Sequence, residues 1–275
     1  MLGLIAGQGT FPLTIARAAR ERGQELVCVA LRGLTDPAID DVVSDVHWIH
    51  LGEVMGGIAA FRAAGASEAV MAGKVPKELL LGDAASLRMD GSAEAMMGEL
   101  RDQRDDTILG KVADFLGAMG IRLLPQWALT PDLLLGPGPV GRVEPTEAQR
   151  EDVRFGFPIA KEMGALDIGQ TVVVKDRAVI AVEAIEGTDA AIRRAGEIVK
   201  GSCVIKVAKP GQDPRFDVPT IGPVTVASLV AAGSALLAFE AGATVVLDRA
   251  EVEREADAHG IAVVGTEPES LRMDG

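Results

Sequence analysis

Tyrosine does not occur in this chain of 275 residues, and aromatics make up 3% of it. Single-stranded nucleic acid is usually held by stacking bases on aromatic rings, so that route is closed. Basic residues are outnumbered too: 27 lysines and arginines face 40 aspartates and glutamates, for a formal net charge of −13. Polyanion binding rests on cationic side chains neutralising phosphates, so nucleic acid is not an expected partner. An acidic chain can still bind phosphate locally, through helix N-termini, a few basic side chains or a divalent cation.

Cysteine is nearly as rare. Cys28 and Cys203 stand alone in apolar stretches and read as buried thiols in a reducing compartment, not as a disulfide or a metal site. His47, His50 and His259 have no metal-ligand spacing, and no GxSxG elbow, Walker A loop or HExxH helix occurs. The longest apolar stretch, Val224 to Leu247, is broken by Gly233, Ser234, Glu240 and Gly242. A membrane span needs about 20 unbroken apolar residues. MLGLIAGQG carries no basic stretch before its glycine turn, so cytoplasmic residence is expected.

What is present describes a folded protein. Hydrophobic residues make up 48% and mean hydropathy is +0.24, too apolar for disorder. The length suits two domains of roughly 100 to 150 residues. The first 130 residues alternate in the βα manner. Strands are expected at Leu2–Ala6, Glu25–Leu31, Val43–Leu51, Ala69–Ala72 and Ile121–Leu124, and a helix over Thr107–Met119. Strands separated by helices imply a mostly parallel, Rossmann-like sheet.

TPDLLLGPGPVGRVEP, with four prolines and three glycines, predicts no regular element and reads as a linker over 131–145. The second half, 146–275, begins with a helix from about Thr146 to Met163. Gln170–Val174 and Ala178–Ala184 read as an antiparallel hairpin about Lys175-Asp176-Arg177. Helices at Ala190–Lys200, Thr225–Ala238 and Arg249–His259 alternate with strands at Cys203–Ala208, Thr244–Leu247 and Ile261–Val264. The fold class expected is α/β: two α/β domains, the second a mixed sheet with helices.

At the start, a strand, the turn Gly7-Gln8-Gly9-Thr10 and a helix with Pro12 in its first turn make a possible phosphate site. Backbone N–H groups and the helix dipole favour an anion there. A bare structural turn is the competing reading. The dinucleotide fingerprint wants a small residue where Pro12 stands, and an acid where the second strand ends at Leu31-Arg32. Lys74, after the strand-like AVMAG, could reach a phosphate from a strand end or be a surface lysine. Asp105-Asp106 opens the next helix as a cap.

Two acidic segments carry most of the chemistry. In a strand from Ala178, alternation places Glu183 on one face with Val179, Ala181 and Ile185. A buried carboxylate without a partner costs several kcal/mol, so Glu183 should meet a cation, a metal or a strong donor; a structural salt bridge would also serve. After Gly187, Thr188 is the expected N-cap, with Asp189 in the first turn. In AKPGQDPRFDVPTIG, three prolines hold the chain extended and set Asp213, Arg215 and Asp217 on one side, with Lys209 nearby. Two carboxylates about 4 Å apart repel by about 4 kcal/mol at an effective dielectric of 20, so the cluster calls for a cation. Mg²⁺, with one or two carboxylates and phosphate oxygens, fits that need; a solvated loop with a surface ion pair is the alternative.

GLIAGQGTFP, AGKVP, RDDTILGKVADFLGAMGI, LDIGQTVVV, AVEAIEGTDAAIRR and AKPGQDPRFDVPTIG, in that order, resemble the LpxI-type UDP-2,3-diacylglucosamine pyrophosphatases over nearly the whole chain. The resemblance implies two α/β domains with the lipid-linked sugar nucleotide bound between them. It implies Mg²⁺-dependent hydrolysis of the pyrophosphate to UMP and 2,3-diacylglucosamine 1-phosphate in lipid A synthesis, with the essential aspartate at Asp217.

The expected catalytic carboxylates are Asp217, Glu183 and Asp189, and the expected metal ligands Asp217, Glu183 and Asp213. Expected substrate contacts are Gly7, Gly9, Thr10, Lys74, Gln170, Gly187, Thr188, Lys209, Arg215 and Thr220. A peripheral contact with the inner membrane surface and a homodimer are compatible with this reading. Two other classes stay open: a nucleotide- or NAD(P)-dependent oxidoreductase built on the glycine turn, and a non-catalytic binder of sugar nucleotide or lipid. The Val224–Leu237 helix and Leu133, Leu134 and Leu135 could line an apolar groove, or simply pack a core.

Overall fold

The computed structural model describes residues 1–76, 79, 88–98 and 105–267. They form two compact units: Met1–Pro131 with Asp213–Asp217, and Asp132–Gln212 with the chain from Val218 onward.

The first unit is built on a five-stranded parallel sheet of β1 (Leu2–Ala6), β2 (Leu26–Leu31), β3 (Asp45–Ile49), β4 (Glu68–Ala72) and β5 (Arg122–Leu123), in the order β3-β2-β1-β4-β5. Strands β1 and β2 are apolar and almost fully buried, as expected for a parallel sheet covered on both faces. Helix α1 (Phe11–Glu21) packs on β1 and β4, with Pro12 in its first turn, where a missing N–H costs nothing. Helices α2 (Val54–Ala63), α3 (Gly91–Gly98) and α4 (Asp105–Ala118) follow. Ile58 and Phe61 of α2 and Ala113 and Leu116 of α4 form one core with Val27, Val29 and Ala69. The side chains of Asp105 and Asp106, expected as a cap, lie outside the described residues.

The second unit is a six-stranded mixed sheet in the order β6-β13-β11-β9-β7-β8. Its strands are β6 (Gly138–Pro139), β7 (Thr171–Lys175), β8 (Ala178–Val182), β9 (Cys203–Lys206), β11 (Leu236–Glu240) and β13 (Ala262–Thr266). β9, β11 and β13 run parallel, and β7 is antiparallel to both β8 and β9. Helix α5 (Glu147–Ala165) covers one face, packing Val153, Phe157 and Ala160 on Val172, Val174 and Ile205. Helices α6 (Thr188–Ile198), α7 (Pro223–Ala232) and α8 (Arg249–Ala258) cover the other, over Val173, Ala181, Val204 and Leu237. A short parallel pair, β10 (Thr220–Ile221) and β12 (Val245–Val246), completes the unit.

The α/β class and both sheet types are as the alternation of elements implies. The stretch expected to hold no regular element differs. Gly138 and Pro139 pair antiparallel with β13, because Gly138 takes φ +120° and Pro139 sits on an edge, where a missing donor is tolerated. Among the described residues, no helix is long and apolar enough to cross a membrane.

Candidate functional site

In the first unit the chain leaves β1 for α1 in one direction and reaches β4 on the opposite side, so the strand order reverses between β1 and β4. Open α/β sheets bind ligands at that point, beyond the carboxyl ends of the strands. Gly7, Gly9, Thr10 and Lys74 all lie there. The Gln8 N–H donates to the Lys74 carbonyl at 2.8 Å and the Lys74 N–H to the Gln8 carbonyl at 2.9 Å. The two loops approach so closely that a Cβ on Gly7 would stand 2.7 Å from the Lys74 oxygen. Gly73 (φ +89°) faces the same limit against the Gln8 oxygen. Gly7 is therefore required by packing. Gly9 (φ +102°) and Thr10 are exposed, with open space where a Gly9 Cβ would stand. Thr10 makes no side-chain cap to α1, so no side chain occupies that helix N-terminus, where Pro12 lacks an N–H.

Asp213–Asp217 belongs to the same unit. The Gln126 N–H donates to the Pro214 carbonyl at 2.8 Å, and Phe216, 3% exposed, joins the core of α2 and α4. Arg215 grips Asp213 through Nε and Nη2, at 2.9 and 2.6 Å, and its guanidinium lies 5.6 Å from the Phe216 ring centre. The Arg215 side-chain hydrogen bonds hold the Asp213 carboxyl below the usual carboxylate range, against a smaller opposing effect of burial. Both Asp213 oxygens are thus engaged by Arg215, and the pair clamps the loop. Asp217 takes φ +53°, a left-handed backbone uncommon outside glycine, two residues before Pro219.

The second unit gathers Gln170, Glu183, Gly187, Thr188 and Asp189. Strands β7, β8 and β9 place Glu183, Thr171 and Lys206 in one row: Thr171 pairs with Lys206, and the Glu183 N–H donates to the Thr171 carbonyl. Alternation puts the row on the face of Ala181, Val173 and Val204, under α6. Glu183 Oε1 accepts from the Thr188 hydroxyl at 2.9 Å, and Oε2 from the Gln170 N–H at 3.4 Å. Lys206, 5% exposed, donates from Nζ to Thr188 Oγ1 at 2.7 Å.

The N-cap of α6 is Gly187, at φ +80°, and no side chain caps the helix. Thr188, expected as that cap, is instead the first helical residue, because Gly187 alone accepts the left-handed backbone the turn demands. Its hydroxyl is thereby free to face Glu183 and Lys206. Glu186 turns away: its carboxylate pairs with Arg194 at 2.6 Å, a hydrogen bond that lowers its pKa.

Lys209 and Thr220 have local partners. Lys209 Nζ pairs with Asp167 at 2.7 Å, both side chains under 10% exposed, and the Thr220 hydroxyl donates to the Val218 carbonyl at 3.0 Å. Two acceptors stand out: Gln170 Oε1 and Asp189 Oδ1 are buried with no hydrogen-bond donor among the described residues. Buried acceptors are normally satisfied, and hard carboxylate and amide oxygens suit Mg²⁺. Among the described residues, no three His, Cys, Asp or Glu side chains gather to hold a metal. Mg²⁺ needs only one or two protein carboxylates when phosphate and water supply the rest, and the oxygens of Glu183, Asp189 and Gln170 are of the kind it takes.

Sequence reasoning missed Lys206, Thr171 and Asp167. A signal for Lys206 was present: a lysine between Ile205 and Val207 in a fully buried strand. Its partner is set by strand pairing, which no local pattern reveals.

The model of the LpxI N-terminal domain matches residues 1–133, and that of the LpxI C-terminal domain residues 136–264. The chain is also 33% identical to the UDP-2,3-diacylglucosamine pyrophosphatase LpxI of Caulobacter vibrioides, over 98% of each chain. Matches that run through both units and both acidic segments leave one assignment: this chain belongs to the LpxI family.

Proposed function

We propose that this protein hydrolyses the pyrophosphate of UDP-2,3-diacylglucosamine to UMP and 2,3-diacylglucosamine 1-phosphate, with Mg²⁺, in lipid A synthesis. The observation that carries the reading is the end-to-end similarity to a relative named for that substrate. The left-handed backbone at Asp217 adds support, since such conformations concentrate at functional positions.

Hydrolysis adds one water across the P–O–P bridge. The water oxygen joins one phosphorus, the bond from that phosphorus to the bridging oxygen breaks, and the released proton leaves through a carboxylate. Asp217 is the proposed group that orients the water, on a backbone fixed by the following Val218-Pro219. Glu183 is held ready by Thr188 and Gln170, so its oxygens need no reorganisation as charge develops. Thr10 and the first turn of α1, with Lys74 beside them, are the proposed contacts for a phosphate of the nucleotide part. Arg215 has its Nε and Nη2 committed to Asp213 and can offer Nη1 to the diphosphate. Lys209, paired with Asp167, contributes at most a compensated charge.

Glu183, Asp189 and Gln170 would hold Mg²⁺, which when bound neutralises charge on the phosphate oxygens. The substrate carries acyl chains, so contact with the membrane is proposed to be peripheral. The test is release of UMP from UDP-2,3-diacylglucosamine, with and without EDTA. Hydrolysis that EDTA abolishes and excess Mg²⁺ restores is expected. No release, or release indifferent to EDTA, counts against the corresponding part of the proposal.

A further inference from the structure

Lys206 has no part in the reading so far, yet it is the most deeply buried cation beside Glu183 among the described residues. An ammonium group has three N–H donors and no lone pair, so in the 2.7 Å contact with Thr188 Oγ1 the lysine must donate. A threonine hydroxyl has one proton. With its oxygen accepting from Lys206, that proton points to Glu183 Oε1, 2.9 Å away. Thr171 Oγ1, 3.4 Å from Thr188 Oγ1, is then left to donate in its turn. Lys206 therefore fixes which way the Thr188 proton points, and Thr188 in turn fixes one oxygen of Glu183. The Gln170 N–H fixes the other.

Burial of the ammonium supports this assignment. A 5% exposed lysine is expensive to keep charged unless the site rewards the charge. A surface placement would cost nothing, and a purely apolar strand end would be served by leucine or methionine. The position on β9 directly opposite Thr171 makes the side chain enter the row of Glu183 and Thr171 by strand pairing alone.

We propose that Lys206 is a positioning residue: through the Thr188 hydroxyl it locks the Glu183 carboxylate in the orientation used for hydrolysis. This rests on the hydrolase reading above. Losing a hydrogen bond to a charged group at this site is worth about 10- to 100-fold in rate.

Lys206→Met keeps an unbranched stem, one atom shorter, and removes the donor. It should lower kcat by about 10- to 100-fold with KM within about threefold of the parent. Thr188→Val should do the same. A Lys206→Met enzyme within about threefold of wild-type kcat overturns the proposal, and so does a Thr188→Val enzyme that keeps wild-type kcat.

Three-bond couplings about Thr188 χ1 give a readout independent of turnover. One rotamer is expected in the wild type and averaging in Lys206→Met; one rotamer in both overturns the proposal. If the wild type releases no UMP, the hydrolase reading fails while the coupling result still decides whether Lys206 locks Thr188. Should Lys206→Met not fold, Thr188→Ser, which keeps the hydroxyl, is expected to exceed Thr188→Val in kcat by at least about tenfold, and equality of the two overturns the proposal.

Discussion

Asp213 and Arg215 show how a single pair sets a pH dependence. The guanidinium hydrogen bonds lower the Asp213 pKa in the folded state, so the unfolded chain binds more protons there. The stabilisation is fully present above the unfolded value, about 3.9, and is lost as pH falls through the lower folded value. Asp213→Asn should melt below wild type at neutral pH, and the gap should close below about pH 4; a gap constant with pH contradicts the clamp. Cys28 and Cys203 are pushed up to about 12, chiefly by burial, and neither should react with a thiol reagent until the protein unfolds. Fast labelling of the native protein contradicts that placement. Strand alternation placed Glu183 with Ala181, but Val179 and Ile185, expected on the same face, are exposed. The reason is that the register shifts between Val173 and Val174 and β8 ends at Val182. The role of Thr188 was not legible, because a threonine after glycine reads as an N-cap until the φ of Gly187 is known.

Helices α6 and α7 approach through glycine. A Cβ on Gly196 would stand 2.5 Å from Ala232 Cα and 2.7 Å from its carbonyl oxygen. Alanine normally gains about 0.5–1 kcal/mol over glycine within a helix, whereas overpacking costs about 1–3 kcal/mol. The clash is with backbone, so overpacking should win: Gly196→Ala is expected to lower Tm, and a raised Tm contradicts the packing described. Helix α5 starts where expected, and there Thr146 and Gln149 form a capping box, each side chain bonding the other's backbone N–H. Strand β6 was not, since its pairing with β13 joins residues more than a hundred positions apart and composition argued against it.

On the scale of the whole chain, the least legible feature was the membership of Asp213–Asp217 in the first unit. Proline spacing announced a rigid extended loop, and nothing local said that Phe216 packs with Phe61 and Leu116. Phe216→Ala should cost about 3–5 kcal/mol in denaturant unfolding, and a change below about 1 kcal/mol contradicts its place in that core. The alternating first half, by contrast, gave both the parallel sheet and the turn at its switch point. The decisive measurement follows phosphorus NMR of UDP-2,3-diacylglucosamine with the protein and Mg²⁺, in parallel with Asp217→Asn. The diphosphate signals should give way to those of two phosphomonoesters, UMP and 2,3-diacylglucosamine 1-phosphate, at least roughly 10³-fold more slowly in the variant. A diphosphate that persists with the wild type, or a variant that keeps pace with it, contradicts the account.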